Sequence, residues 1–303
     1  MIQTGIFTGY FPYSLEESAK RIRAQGFNTV QLDLAFKDMD FQTPDSITSD
    51  KCRHVRDTFR RHDLPVSCVS AYTNIVHPDP GERRKRNAYL KAILRHARDC
   101  GSPYVISETG TVNPDSDWSS HPDNKSERAY EDCVKIVREL AQEAYDHGAM
   151  FLVETYVNNI IGSIEETSRL FADVDHPGLG LLMDPTNYFE AHNIDRMDQV
   201  LNQMFDVLSD KIKIAHAKDV KRSSSDDKGE KFAAIDASAT HQFRGVGAIE
   251  LPAPGLGCLN YILYLRRLAR QHPNIPVIIE HLDEGDVPRA KEFLDRKLIE
   301  AGV

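Results

Sequence analysis

The sequence predicts a single (β/α)8 barrel, and three observations carry that prediction. Eight short apolar runs alternate with eight longer amphipathic stretches along all 303 residues, the pattern of parallel strands joined by helices. Four of the runs close on Glu154, Asp184, His216 and Glu280, which lie 30, 32 and 64 residues apart. A barrel of roughly 250 residues uses about 31 per βα unit, so the first two intervals are one unit each and the third is one unit plus a long insertion. The content of 41% hydrophobic and 27% charged residues is that of a globule with a substantial core. A doubly wound open sheet shows the same alternation and is the alternative architecture.

The elements follow in order. Strand 1 is Gln3–Phe7, and its helix, Leu15–Ala24, starts after Ser14, three residues before Glu17 in capping-box spacing. Gly26 ends that helix before strand 2, Thr29–Leu34. Thr48–His62 reads as helix, Val66–Ala71 as strand 3, and Gly81–Asp99 as helix up to Gly101. Strand 4 is Tyr104–Ser107, helix Ser126–His147 ends at Gly148, and strand 5 is Met150–Glu154. Gly26, Gly101 and Gly148 stand where a left-handed C-cap is expected. Helix Ser163–Ala172 opens on a second capping box, Ser163 with Glu166. Strand 6 is Leu179–Met183, followed by helix Arg196–Leu208, strand 7 Ile212–Ala215, helix Leu259–Gln271, strand 8 Val277–Glu280 and helix Val287–Ala301.

Two connections exceed the usual 2–6 residues of such units. One, about 108–125, carries Trp118 and His121. The other, about 218–257, begins with the polar KRSSSDDKGEK and continues into FAAIDASATHQFRGVGAIELPAPGLG, which can order over a substrate. Both belong to the C-terminal rim, which suits a water-excluding cover that turns Arg222 or His241 toward the substrate. A net charge of −9 argues against a nucleic-acid partner. Five scattered cysteines without a CxxC pair fit a reducing compartment. The start, MIQTGIFTGYFPYS, lacks a basic region followed by a long apolar run, and no segment approaches the ~20 apolar residues of a membrane span. A cytoplasmic protein without a membrane partner is expected, and a homo-oligomer is compatible with the sequence.

Three carboxylates and one imidazole at a barrel mouth form an oxygen-rich shell suited to Mn²⁺, with Mg²⁺, Co²⁺ or Zn²⁺ also accommodated. No thiolate is in the set, so positions stay open for a substrate. An ion held by Glu154, Asp184, His216 and Glu280 can grip two adjacent oxygens of a polyol or hydroxyketone and acidify the neighbouring C–H. Glu154 and Glu280, facing each other across that carbon, are the natural acid–base pair. Glu108 ends strand 4 toward the same mouth, Lys218 shares the strand face of His216, and Asn187 can bond a sugar hydroxyl. Each has an ordinary alternative: a rim glutamate, a surface lysine, a turn cap. His121, His192 and His241 read as rim bystanders, and Trp118 either stacks a sugar face or packs its loop.

The strings FLVET, LLMDPTNYF, HAKD at 216–219, PGLG at 254–257 followed by Tyr261, and IIEH resemble those of the xylose-isomerase-like barrel superfamily of sugar epimerases, isomerases and dehydratases. The resemblance implies a metal-dependent sugar or polyol isomerase or epimerase, with Glu154, Asp184, His216 and Glu280 as ligands and the two glutamates doubling as acid and base. It implies a dehydratase of a keto-inositol or related hydroxyketone as the alternative; a non-catalytic sugar-binding or regulatory barrel is a third reading, against which the intact Glu154 and Glu280 argue. Ketose 3-epimerases of this superfamily carry a histidine three residues beyond the strand-6 aspartate, where this chain has Asn187. Arg222, six beyond His216, matches an arginine that those enzymes place near substrate. Endonuclease IV, a DNA-repair relative, uses extra histidines for a three-zinc cluster; Asn187 and the acidic charge argue against that function.

Overall fold

The structure is a computed structural model that describes residues 2–223 and 248–303. Its strands are β1 (Gln3–Phe7), β2 (Thr29–Leu32), β3 (Val66–Ser70), β4 (Tyr104–Glu108), β5 (Met150–Glu154), β6 (Leu179–Met183), β7 (Ile212–Ala217), β8 (Lys221–Arg222), β9 (Ile249–Glu250) and β10 (Pro276–Ile279). Eight of them close a parallel barrel in the order β1-β10-β7-β6-β5-β4-β3-β2. The alternative open sheet is thereby excluded. Helices α1 (Leu15–Ala24), α2 (Ser49–Arg61), α3 (Pro80–His96), α4 (Glu127–Asp146), α5 (Ile164–Val174), α6 (Met197–Leu208), α7 (Tyr261–Gln271) and α8 (Val287–Ala301) follow successive barrel strands.

Strand alternation divides the apolar residues into two sets. Val153, Met183, Ala215 and Ile279 face outward into the layer between barrel and helices. Cys68, Ile106, Leu152, Leu182, Ile214 and Ile278 fill the barrel interior as a separate cluster. The latter set sits two residues before the mouth residues, so it forms the dry floor of the site. The register slips between Val30 and Gln31 on β2, opposite β3, and between Leu181 and Leu182 on β6, opposite β7.

The caps mostly follow the sequence. Gly26, Gly101 and Gly148 take φ of 81°, 102° and 67°, the left-handed region expected of them. Ser163 and Glu166 form a reciprocal capping box. Ser14 does not: its side chain makes no cap bond, and Asp38 Oδ1 instead accepts the Leu15 N–H at 2.9 Å. An anionic acceptor from the β2–α2 connection instead satisfies the first free N–H of the helix.

Of the two long connections, 108–125 folds around Asn124, whose Nδ2 donates to Asn158 O at 2.7 Å and whose Oδ1 accepts from Val112 N at 2.9 Å. The ends of the second pair as a two-stranded antiparallel ribbon, β8 with β9. The predicted cover over 218–257, and His241 with it, falls largely outside the described residues. Among the described residues no helix is long and apolar enough to cross a membrane.

Candidate metal centre

Moving up one strand repeat from the apolar floor brings Glu108, Glu154, Asp184, His216 and Glu280 to the mouth. Glu154, Asp184, His216 and Glu280 are buried, and one ligand atom from each lies within 4.8 Å of the other three. His216 Nδ1 stands 3.4 Å from Glu154 Oε1, from Asp184 Oδ2 and from Glu280 Oε2. Asp184 is aimed by its own turn: Oδ1 accepts the Thr186 N–H at 2.9 Å and hydroxyl at 2.7 Å, capping a 3-10 turn with Pro185 in its first position. That leaves Oδ2 facing the imidazole. Asp184 Oδ2 and His216 Nδ1 are both buried without a hydrogen-bond partner among the described residues. Two such atoms aimed at one another across 3.4 Å are what a shared cation would satisfy.

Lys218 is the fifth member. Its Nζ lies 2.7 Å from Asp184 Oδ2, 3.3 Å from Glu154 Oε1 and 3.4 Å from Glu280 Oε2, touching the same three oxygens as the imidazole. The Asp184 approach is a charge contact rather than an aligned hydrogen bond. A knot behind the strand holds Lys218 there. Asp219 accepts backbone N–H groups of Val220, Gly255 and Leu259, each at 2.9 Å, and Tyr261 Oη donates to Lys218 O at 2.6 Å. A Cβ on Gly257 would come within 2.4 Å of Asp219 Oδ1, so only glycine fits. HAKD, PGLG and Tyr261 therefore form one structural unit.

The charges shape one another. Burial opposes ionisation of Glu154, but Lys218 and His216 outweigh it and hold the carboxyl down to about 2. The same two cations hold Asp184 well below its ordinary range against burial. Glu280 goes the other way, raised by burial that His216 and Lys218 only partly offset. His216 is pulled down by burial yet pushed up to about 10 by Glu280 and Glu154. The two glutamates thus differ in proton affinity, the usual mark of an acid–base pair.

Other expected residues fall into two groups. Asn187 is brought in, its Nδ2 donating to Glu154 Oε1 at 2.8 Å. Glu108 pairs in register with Glu154, accepts from Asn159 Nδ2 at 2.9 Å, and is pushed up to about 8 by burial and then by Glu154. Arg222 is instead half-exposed and spent on the β6–α6 connection, donating to Asp195 Oδ2 at 2.6 Å and Ala191 O at 3.0 Å. His121 caps a turn through Asp123 N, and His192 is exposed beside Glu190. Trp118 is half-buried, and its carbonyl accepts from Asn158.

Sequence reasoning missed Gln31 and Tyr72. Tyr72 Oη donates to Glu154 Oε2 at 2.5 Å, and Gln31 bridges His216 and Glu280. The available signal was a fully polar amide inside the TVQL strand, whose inward position demands buried partners.

A family profile described as xylose isomerase-like TIM barrel matches residues 19–297. No curated protein matches the chain. Among solved structures, a probable 3-DHS dehydratase from Bacillus anthracis is similar at TM-score 0.71 and 15% identity, covering 99% of each chain. A xylose isomerase-like TIM barrel protein from Mycobacterium smegmatis in complex with magnesium gives 0.68 and 17%, covering 100% of this chain and 97% of its own. The 3-keto-D-glucoside 4-epimerase from E. coli gives 0.67 and 16%, covering 98% and 100%. At identities this low, these likenesses show the shared fold alone.

Proposed function

The chain belongs to the xylose isomerase-like TIM barrel family, and on that premise we propose that it is a divalent-metal-dependent isomerase or epimerase of a sugar or polyol. The observation that carries this is the convergence of three buried carboxylate oxygens on His216 Nδ1, each at 3.4 Å. Glu154, Asp184, His216 and Glu280 would hold the ion. Their donor set suits Mn²⁺ or Mg²⁺, and the similar mycobacterial protein was solved with magnesium. When bound, the ion supplies Lewis acidity to a chelated hydroxyketone, lowering the pKa of the adjacent C–H.

The chain's own residues do the rest. Glu154 Oε2 and Glu280 Oε1 are the oxygens turned away from the imidazole, and these take a proton from one face of the carbon and return one to the other. Tyr72 orients Glu154 Oε2 with its hydroxyl, and Gln31 orients Glu280 Oε1 with its amide. Asn187 and Lys218 stand beside Glu154 with N–H groups that can grip substrate hydroxyls. The interior cluster under the mouth keeps water from reaching the site from below.

A second reading, a dehydratase acting on a related hydroxyketone, is favoured by Glu108. A carboxyl that stays protonated near neutral pH beside the pair, pushed up to about 8, is the extra acid needed to expel a β-hydroxyl. The similar Bacillus anthracis protein is a probable dehydratase. Incubation of the Mn²⁺-loaded protein with a panel of unphosphorylated ketoses and inososes in D₂O tests both. Deuterium uptake at constant skeleton marks isomerisation, loss of one water marks the lyase, and neither outcome across the panel refutes enzyme function of this kind.

A further inference from the structure

Gln31 is fully buried on β2, at the point where the register with β3 slips between Val30 and Gln31. Such irregularities beside a site re-aim a side chain. Both ends of its carboxamide are engaged. Nε2 donates to Glu280 Oε1 at 3.0 Å and more weakly to Tyr72 Oη at 3.4 Å, while Oε1 accepts from His216 Nε2 at 2.8 Å and from the Cys68 thiol at 3.6 Å. The two ends are not interchangeable. An ionised Glu280 can only accept, so the amide nitrogen must face it. The amide oxygen then faces His216 Nε2, which must carry a hydrogen. Nε2 keeps that hydrogen, so once the imidazolium gives up a proton to become a ligand, Nδ1 is the ring nitrogen with a lone pair to offer, and Nδ1 is the one that faces Glu154, Asp184 and Glu280.

We infer that Gln31 is a positioning residue that couples two elements of the site, fixing His216 as an Nδ1 metal ligand while holding the outer oxygen of Glu280. The inference rests on the metal reading above. A chain of constraints runs through one side chain: the anion sets the amide, the amide sets the imidazole, and the imidazole sets the ligand atom. Partners of this kind, one bond removed from the ion, typically account for 10–100-fold in metal affinity. Gln31 lies far along the chain from both residues it joins, 185 positions from His216 and 249 from Glu280.

The test uses full-length protein with ¹⁵N-labelled histidine, and Mn²⁺ alone as the probe. Gln31→Leu should remove the slowly exchanging His216 Nε2–H resonance and weaken Mn²⁺ binding about 10–100-fold, measured by chelator competition. Gln31→Glu keeps an acceptor for Nε2 and should keep the resonance. That near-isosteric variant carries the test if the leucine variant fails to fold. Unchanged Mn²⁺ affinity in Gln31→Leu, or loss of the resonance in Gln31→Glu, overturns the inference alone. A wild-type protein that takes up no Mn²⁺ overturns the metal reading, and this inference with it.

Discussion

Replacing Lys218 by Met separates charge from packing at the mouth. Met fills the volume of the aliphatic stem, so the variant removes mainly the ammonium. Lys218 is 4% exposed, and its ammonium lies 2.7, 3.3 and 3.4 Å from carboxylate oxygens of Asp184, Glu154 and Glu280. Taking one partner from a buried ionic cluster costs about 3–5 kcal/mol. For a protein of this size each kcal/mol moves Tm by about 1.5–2 °C, so the ion-free variant should melt roughly 5–10 °C below wild type. A divalent ion at the same three oxygens supplies the missing positive charge. Mn²⁺ at 100 times its Kd stabilises by about 2.7 kcal/mol through binding alone, and in the variant it also relieves the carboxylate repulsion that Lys218 otherwise balances. The Mn²⁺-induced rise in Tm, read by calorimetry, should therefore be larger in Lys218→Met than in wild type. An equal loss of Tm with and without Mn²⁺ would refute the electrostatic argument and leave Lys218 a packing residue.

Glu154→Gln and Glu280→Gln each keep one ligand oxygen but cannot exchange a proton, so deuterium exchange into a processed ketose should slow at least ~100-fold; near-normal exchange in either reassigns the base. Mn²⁺ affinity should strengthen with pH by about tenfold per unit from pH 6 to 8, because His216 holds its proton up to about 10 in the ion-free protein and must release it on binding. A flat profile in chelator competition would contradict that linkage. Arg222→Ala breaks only exposed contacts to Asp195 and Ala191, so it should change stability by less than ~1 kcal/mol and leave Mn²⁺ affinity as in wild type. A large rise in KM for a processed sugar would show that Arg222 leaves Asp195 when substrate binds.

The four residues of the cluster were legible because each closes an apolar run, and barrel spacing turns four run ends into one rim. FLVE, GLLMD, KIKIAH and VIIE carry period and endpoint together. Boundaries blurred where a terminal residue still belongs to the ladder or only caps it. Strand 4 extends to Glu108 and strand 7 to Ala217, whereas β10 stops at Ile279 although Glu280 still donates to Ala217 O at 3.2 Å. Ser14 shows the limit of a local rule: the spacing to Glu17 is right, but Asp38, brought in by tertiary structure, binds the helix start instead.

Gln31 and Tyr72 were missed, and the contacts of Arg222 not foreseen, for one shared reason. Their roles depend on partners far along the chain, and no local pattern encodes those distances. Arg222 stands six residues past His216, so alternation alone admits it to the mouth; the turn into β8 carries it outward to Asp195 instead. Gln31 looks like one amide in a short, mostly apolar strand, and only barrel closure shows that it must answer a carboxylate and an imidazole at once. A barrel strand whose side chains are buried on both faces admits a polar group only if something meets it there. Read this way, a lone amide in a barrel strand is a demand for partners, and a mouth that already holds a histidine and a glutamate is where that demand is met.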